Sequence, residues 1–219
     1  MAKYTLEEIK SWLGAQFNGV DPNAAISDLL LDSRKLATTD DTLFVALKGS
    51  RHDGLDYIHD LYQRGLRNFL VTRLPANRFI YDQANFLIVD DSLKALQILA
   101  QKHREKFNLP VWGITGSNGK TIVKEWLFQL FQADRKVIRS PKSYNSQVGV
   151  PLSVWKLKGE HEMALFEAGI SQPNEMVNLQ GMIQPEFGLF TNEPNPYPMV
   201  EAGMYFGAGV KGFNYGWNG

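Results

Sequence analysis

The chain has 219 residues, with 23 lysines and arginines balanced by 23 aspartates and glutamates, and no cysteine. Balanced charge leaves no whole-chain field to draw the protein onto nucleic acid or an anionic membrane. The lack of cysteine excludes disulfides, thiolate metal sites and cysteine nucleophiles.

The length suits two modest domains, each able to bury its own core. Glu7 and Glu8 stand where a signal peptide needs an apolar stretch, and no run approaches the roughly 18 apolar residues of a membrane span. A cytoplasmic monomer without membrane insertion is expected. A helix is predicted over 5–17, with Thr5 as N-cap, Glu8 completing a capping box, and Leu6, Ile9, Trp12 and Leu13 forming its apolar face. After the turn at Asp21-Pro22-Asn23, strands are expected over 29–32 and 42–47, joined through the polar link Asp32-Ser33-Arg34-Lys35. A helix over 55–65 ending at Gly65, strands over 68–72 and 86–89, and a helix over 92–107 complete a first α/β unit. The proline of Asn108-Leu109-Pro110 stops that helix and marks the boundary.

The second unit opens with a strand over 111–115, a glycine loop, and a helix over 120–132 whose apolar face is read as Val123, Trp126, Leu127, Leu130 and Phe131. Further strands are expected over 136–139, 163–167 and 187–191, and helices over 147–156 and 174–182. Alternating strands and helices imply a parallel, doubly wound sheet. From Glu193 the character changes to a proline-, glycine- and aromatic-rich tail with no periodicity. Tyr205, Phe206, Phe213, Tyr215 and Trp217 could stack on bases. With only Lys211 for charge, an unstructured or out-of-register end is the preferred reading. The organisation is thus a domain over 1–108, a second over 109–192, and an atypical tail over 193–219.

Thr115-Gly116-Ser117-Asn118-Gly119-Lys120-Thr121 carries the chemistry. A strand running through glycines into a helix aims backbone N–H groups at one spot, at the positive end of the helix dipole, where a phosphate fits. Gly116 and Gly119 permit the tight backbone, Lys120 brings a cation to the terminal phosphates, and Thr121 offers its hydroxyl to magnesium. A strict Walker loop asks for glycine at the position of Ile114, so only its second half matches. Glu167, at the carboxyl end of its strand, should emerge on the same sheet edge as the loop and partner the magnesium. The four histidines, His52, His59, His103 and His161, show no metal-ligand spacing, and His103 reads as a half-buried residue of a helix face.

These residues resemble the Mur ligases, whose phosphate loop has the form T-G-[ST]-N-G-K-T. Asp32-Ser33-Arg34, Asp41-Thr42-Leu43-Phe44-Val45-Ala46-Leu47-Lys48-Gly49 and His52-Asp53-Gly54 look like the family's amino-terminal domain. Tyr144-Asn145-Ser146-Gln147-Val148-Gly149-Val150-Pro151-Leu152 and Phe166-Glu167-Ala168-Gly169 look like its central ATPase domain. With Lys124-Glu125 following the loop, the chain is most similar to the branch that joins D-alanyl-D-alanine to UDP-MurNAc-tripeptide. The branch adding a single third amino acid is the near rival. The resemblance implies an α/β fold: an N-terminal substrate domain and an incomplete P-loop ATPase domain with a mostly parallel sheet. It implies ATP and Mg2+ as cofactors, and a reaction in which ATP phosphorylates a carboxylate and an amine attacks the acyl phosphate, in cell-wall peptidoglycan synthesis.

By the same resemblance, Lys120 and Glu167 are the catalytic pair and Gly116, Ser117, Asn118, Gly119, Lys120 and Thr121 hold the ATP phosphates. Thr121 and Glu167 bind magnesium, while Ser33, Arg34, Lys48, Gly49, His52, Asp53 and Asn145 face the UDP-sugar peptide. In the family, Phe190-Thr191-Asn192 runs on toward a metal-site histidine, a modified lysine and a third, acceptor-gripping domain. Here Asn192 is followed by Glu193-Pro194-Asn195. The expectation is a chain truncated relative to the family after residue 192, with little or no ligase turnover of its own and the alternative role of a nucleotide-binding remnant.

Overall fold

The structure, a computed structural model, describes residues 3–49, 52–170 and 175–191. The aromatic tail expected over 193–219 lies outside the described residues. The chain divides into two compact units between Leu99 and Ala100.

The first unit begins with β1 (Tyr4–Thr5), α1 (Leu6–Leu13), β2 (Gln16–Asn18) and β3 (Ala25–Ile26). The Thr5 side chain accepts from Glu8 N–H while the Glu8 carboxylate accepts from Thr5 N–H at 2.8 Å, the capping box read from sequence. α1 stops at Leu13, because Gly14 turns left-handed at φ 61°, and the expected helical residues Gln16 and Phe17 pair instead as β2 with Phe86 to Ile88. The two-residue strands β1 and β3 pair antiparallel and carry no periodic signal in sequence.

β4 (Asp28–Leu30), β5 (Thr42–Val45), α2 (Ile58–Gln63), β6 (Asn68–Val71) and β7 (Asn85–Ile88) follow. They build a five-stranded sheet in the order β2-β7-β6-β5-β4, parallel except for β2. Leu43, Phe44, Val45, Phe69, Leu70, Val71, Phe86 and Leu87 are buried, as fits parallel strands covered on both faces. α3 (Ser92–Arg104) runs across that division point.

The second unit holds β8 (Val111–Thr115), α4 (Lys120–Phe131), β9 (Val137–Arg139), α5 (Gly149–Val154), β10 (Met163–Glu167), α6 (Glu175–Ile183) and β11 (Phe187–Phe190). The strands form an all-parallel sheet in the order β11-β8-β10-β9. The period of two sorts its side chains. Val111, Ala164 and Phe166 enter one core with α5 and α6, whereas Ile114, Met163 and Leu165 pack against Leu127, Phe128 and Phe131 of α4. Glu167 shares the parity of Met163 and Leu165, so its side chain emerges on the α4 side. The chain goes from β8 outward to β9 on one flank and returns to β11 on the other, which makes the carboxyl end of β8 the switch point where such sheets bind ligands.

The inward face of α4 differs from the sequence reading. Trp126 and Leu130 are 67% and 66% exposed, and Ile122 is 57% exposed, whereas Lys124 is fully buried. Thr121 and Lys124 point inward one turn apart, which brings Leu127, Phe128 and Phe131 to the core and rotates Ile122, Trp126 and Leu130 outward.

Candidate functional site

The glycine loop leaves β8 at Thr115 and enters α4 at Lys120. Gly116 and Gly119 have φ of 126° and 83°, a left-handed backbone that a Cβ would strain, so both glycines are demanded by the path. The Lys120 ammonium donates to Gly116 O and, at 3.4 Å, to Ser117 O, which folds it back over the loop. From β11, the Thr191 hydroxyl contacts Thr115 O at 3.2 Å and Asn118 O. The loop is thereby held from the neighbouring strand as well as by its own turns.

Opposite the loop, the Thr121 hydroxyl donates to Glu167 Oε2 at 3.1 Å. The register of β10 on β8 sets this contact: Glu167 aligns with Ile114, just below the loop. Glu167 is fully buried; its backbone N–H donates to Ser140 Oγ at 3.1 Å, and its Oε1 lies 2.8 Å from Lys124 Nζ. That last contact is an ion pair only, for Oε1 has no hydrogen-bond partner. Lys124 also donates to Ser140 O at 2.8 Å and to Lys142 O, and stands 3.3 Å from Glu125 Oε1, which is itself bound by Arg139. The Glu125 carboxyl is nevertheless half-buried, and the cations beside it outweigh desolvation to hold it below the usual carboxylate range.

Asn145 sits partly exposed between Ser140 and α5, and its carbonyl accepts the Gly169 N–H at 2.8 Å, so the segment carrying it is tied to the end of β10. Thus Gly116, Ser117, Asn118, Gly119, Lys120, Thr121, Glu167 and Asn145 gather at one edge of the second sheet. Lys124 and Ser140 belong to the same cluster and carried no role in the sequence reading. The available signal was spacing, since Lys124 follows Thr121 by one helical turn and therefore shares its face.

The remaining residues lie in the first unit. Ser33 and Arg34 form a short 3₁₀ turn beyond β4, capped by Asp32, whose carboxylate accepts Arg34 Nε and Nη2 at 2.8 Å each. That guanidinium holds the Asp32 carboxyl at about 2. The Arg34 side chain is 86% exposed and the Ser33 carbonyl accepts from Arg64 at 2.7 Å. Lys48, Gly49, His52 and Asp53 follow β5, with Lys48 bridged to Asp53 and Gly49 N–H donating to His52 O. Asp53 pairs with Arg73 at 3.0 Å. Since β4 and β5 are parallel neighbours, both segments leave the same edge of the first sheet. Gly54 closes this loop onto β5: a Cβ there would stand 2.6 Å from Ala46 Cα.

Among the described residues, no group of three or more histidines, aspartates and glutamates is placed to hold a metal ion, and no helix is long and apolar enough to cross a membrane.

The family description that matches is the Mur ligase middle domain, over residues 114–193, which includes the loop, α4, Glu167 and β11. The UDP-N-acetylmuramoyl-tripeptide–D-alanyl-D-alanine ligase of Borreliella burgdorferi is 33% identical over 174 residues, covering 76% of this chain. The chain belongs to the Mur ligase family. Solved structures agree with this Mur ligase assignment. A crystal structure of MurF from Acinetobacter baumannii matches with a TM-score of 0.79 at 26% identity, covering 87% of this chain and 41% of that one. MurF from Thermotoga maritima in complex with ADP matches with a TM-score of 0.67 at 28% identity, covering 78% of this chain and 38% of that one. The chain spans 38% of the length of the Borreliella relative, about two fifths.

Proposed function

We propose that this chain carries the UDP-substrate and ATP sites of a ligase that joins D-alanyl-D-alanine to UDP-MurNAc-tripeptide in the cytoplasm, during peptidoglycan precursor synthesis. The observation that supports it best is the Thr121 hydroxyl on the Glu167 carboxylate, 3.1 Å apart at the mouth of the glycine loop. An oxygen pair of this kind suits magnesium, which binds few protein ligands and completes its shell with waters and substrate phosphates. Glu167 is fully buried with its Oε2 turned to Thr121, which fits a carboxylate kept for a cation. Magnesium, when bound, would be held by Thr121 and Glu167 and would neutralise charge on the phosphates.

The reaction needs no side-chain nucleophile. A carboxylate oxygen of the UDP-linked peptide attacks the γ-phosphorus of ATP, the bond to the β-phosphate oxygen breaks, and ADP leaves. The amine then attacks the acyl phosphate, releasing inorganic phosphate and losing a proton. The chain's own task is positioning and charge. Loop N–H groups and the amino end of α4 seat the phosphates. Lys120 exchanges its loop carbonyls for the transferring phosphoryl group, while Asn145 orients the peptide side. In the first unit, Ser33, Arg34 and the segment from Lys48 to Asp53 bind the UDP end. The domains are taken as 1–108 and 109–192, working as a monomer on small molecules, without nucleic acid or membrane insertion.

The experiment is equilibrium binding of labelled ATP with magnesium, followed by phosphate release in the presence of UDP-MurNAc-tripeptide and D-alanyl-D-alanine. Release that requires both acceptor substrates supports the ligase. Binding without release supports a nucleotide-binding chain that does not turn over, and absence of ATP binding refutes both readings.

A further inference from the structure

Lys124 is a fully buried lysine with a dense set of partners. A buried ammonium is retained only where its charge and its three donors are met. Here Ser140 O at 2.8 Å and Lys142 O accept from it, Glu167 Oε1 stands at 2.8 Å, and Glu125 Oε1 at 3.3 Å. These partners come from three places: its own helix, the end of β10, and the segment that follows β9 and leads to Asn145. Lys142 adopts φ 51°, a left-handed backbone uncommon for a residue with a side chain, and its carbonyl is one of the two that Lys124 captures. Two other contacts bind the same elements: Ser140 Oγ accepts the Glu167 N–H, and Asn145 O accepts the Gly169 N–H.

Resting on the nucleotide-site reading above, we propose that Lys124 is the positioning residue of this site. Its ammonium fixes the Glu167 carboxylate so that Oε2 faces Thr121, and the same group pins the segment that presents Asn145. One charge thereby sets the metal-facing oxygen and the substrate-side loop together. Lys124 acts through Glu167 and the loop carbonyls. Groups that orient a metal ligand without touching the metal change metal affinity by about 10- to 100-fold when removed.

The test uses the whole chain, with a fluorescent ATP analogue titrated at increasing magnesium. Lys124→Met is expected to raise the magnesium concentration needed for half-maximal nucleotide binding by about tenfold or more, while binding without magnesium stays as in the wild type. In a Glu167→Gln background, the same substitution is expected to add little, because the group it positions is already lost. A merely structural lysine would weaken binding equally with and without magnesium, and its effect would add to that of Glu167→Gln. Either result overturns the proposal.

Lys124→Gln separates the two tasks, since its amide can still reach a loop carbonyl but carries no charge. It takes the place of the methionine variant should that chain not fold, with the same deciding outcomes. Amide exchange over 142–146 gives a readout that needs no nucleotide. Faster exchange in Lys124→Met than in the wild type is expected, and unchanged exchange overturns the loop-pinning half. If the wild type binds no nucleotide, the proposed function falls and takes the magnesium half with it. If the wild type binds normally and Lys124→Met matches its magnesium response, only the positioning role falls.

Discussion

His103 offers a stability change that can be worked from the structure. Its imidazole is 2% exposed in α3, 4.7 Å from the Trp155 ring and 4.9 Å from the Phe107 ring, centroid to centroid. Nε2 donates to Leu157 O at 3.1 Å, since a carbonyl can only accept. Burial depresses its pKa from 6.5 to about 4, with the hydrogen bond to Leu157 opposing only part of that shift. The folded protein therefore resists protonation while the unfolded chain accepts it near 6.5. The contribution is fully present above pH 6.5 and is lost as pH falls from 6.5 toward 4, because the unfolded state binds the extra proton in that window. The full span is worth about 3 kcal/mol, of which about 2 kcal/mol is gone by pH 5. His103→Gln keeps a donor toward Leu157 and removes the titration. Urea unfolding at pH 8 and pH 5, followed by tryptophan fluorescence, should show a smaller pH loss in the variant by about 2 kcal/mol. Equal losses in the two proteins, or an NMR titration placing His103 near 6.5, would refute the reasoning.

Lys120→Ala should weaken ATP binding by about tenfold or more, the scale of one charge-assisted contact of about 1.5–3 kcal/mol, without moving the unfolding midpoint; equal affinity by titration counts against the loop assignment. Gly54→Ala should destabilise the first unit by about 1–3 kcal/mol, because the new methyl meets Ala46 backbone 2.6 Å away, and denaturant unfolding that matches wild type would contradict it. Arg104→Met should cost about 3 kcal/mol by stranding the carbonyls of Phe107, Ile183 and Gln184, which the guanidinium now satisfies; a stability change under 1 kcal/mol would show that these groups find other partners.

Much of the site was legible because chemistry and element boundary coincide there. β8 ends at Thr115 and β10 ends at Glu167, as the apolar runs require, and Gly116 and Gly119 between β8 and α4 take the positive φ that glycine accepts most readily. Thr5 and Glu8 likewise announce the start of α1. Its end was misjudged because the apolar residues continue through Phe17 while a single left-handed glycine redirects the chain. The face of α4 was misjudged for a related reason: periodicity counts Trp126 and Leu130 as core and lysine as solvent, yet a lysine with two carboxylates and two carbonyls around it can be the most buried residue of the helix. Apart from Glu125, those partners come from β10 and the segment after β9, separated in sequence from Lys124, and no local pattern reports them. In the first unit, the motif residues resolve into loop closures as well as candidate contacts, with Gly54 admitting the close approach and Asp53 capping the turn that begins there.

The alignment of Glu167 with Ile114 decides where this chain can change length. A strand advances about 3.3 Å per residue and reverses its side chains at each step. One residue inserted within β10 would carry the carboxylate past the loop and turn it toward the α5 and α6 side. The turn from Lys158 to His161, exposed at Gly159 and Glu160, lies ahead of that strand and outside its register. Lengthening there leaves the distance from Thr121 to Glu167 intact, so natural and engineered insertions are expected to collect in that turn and to be absent from the strand itself.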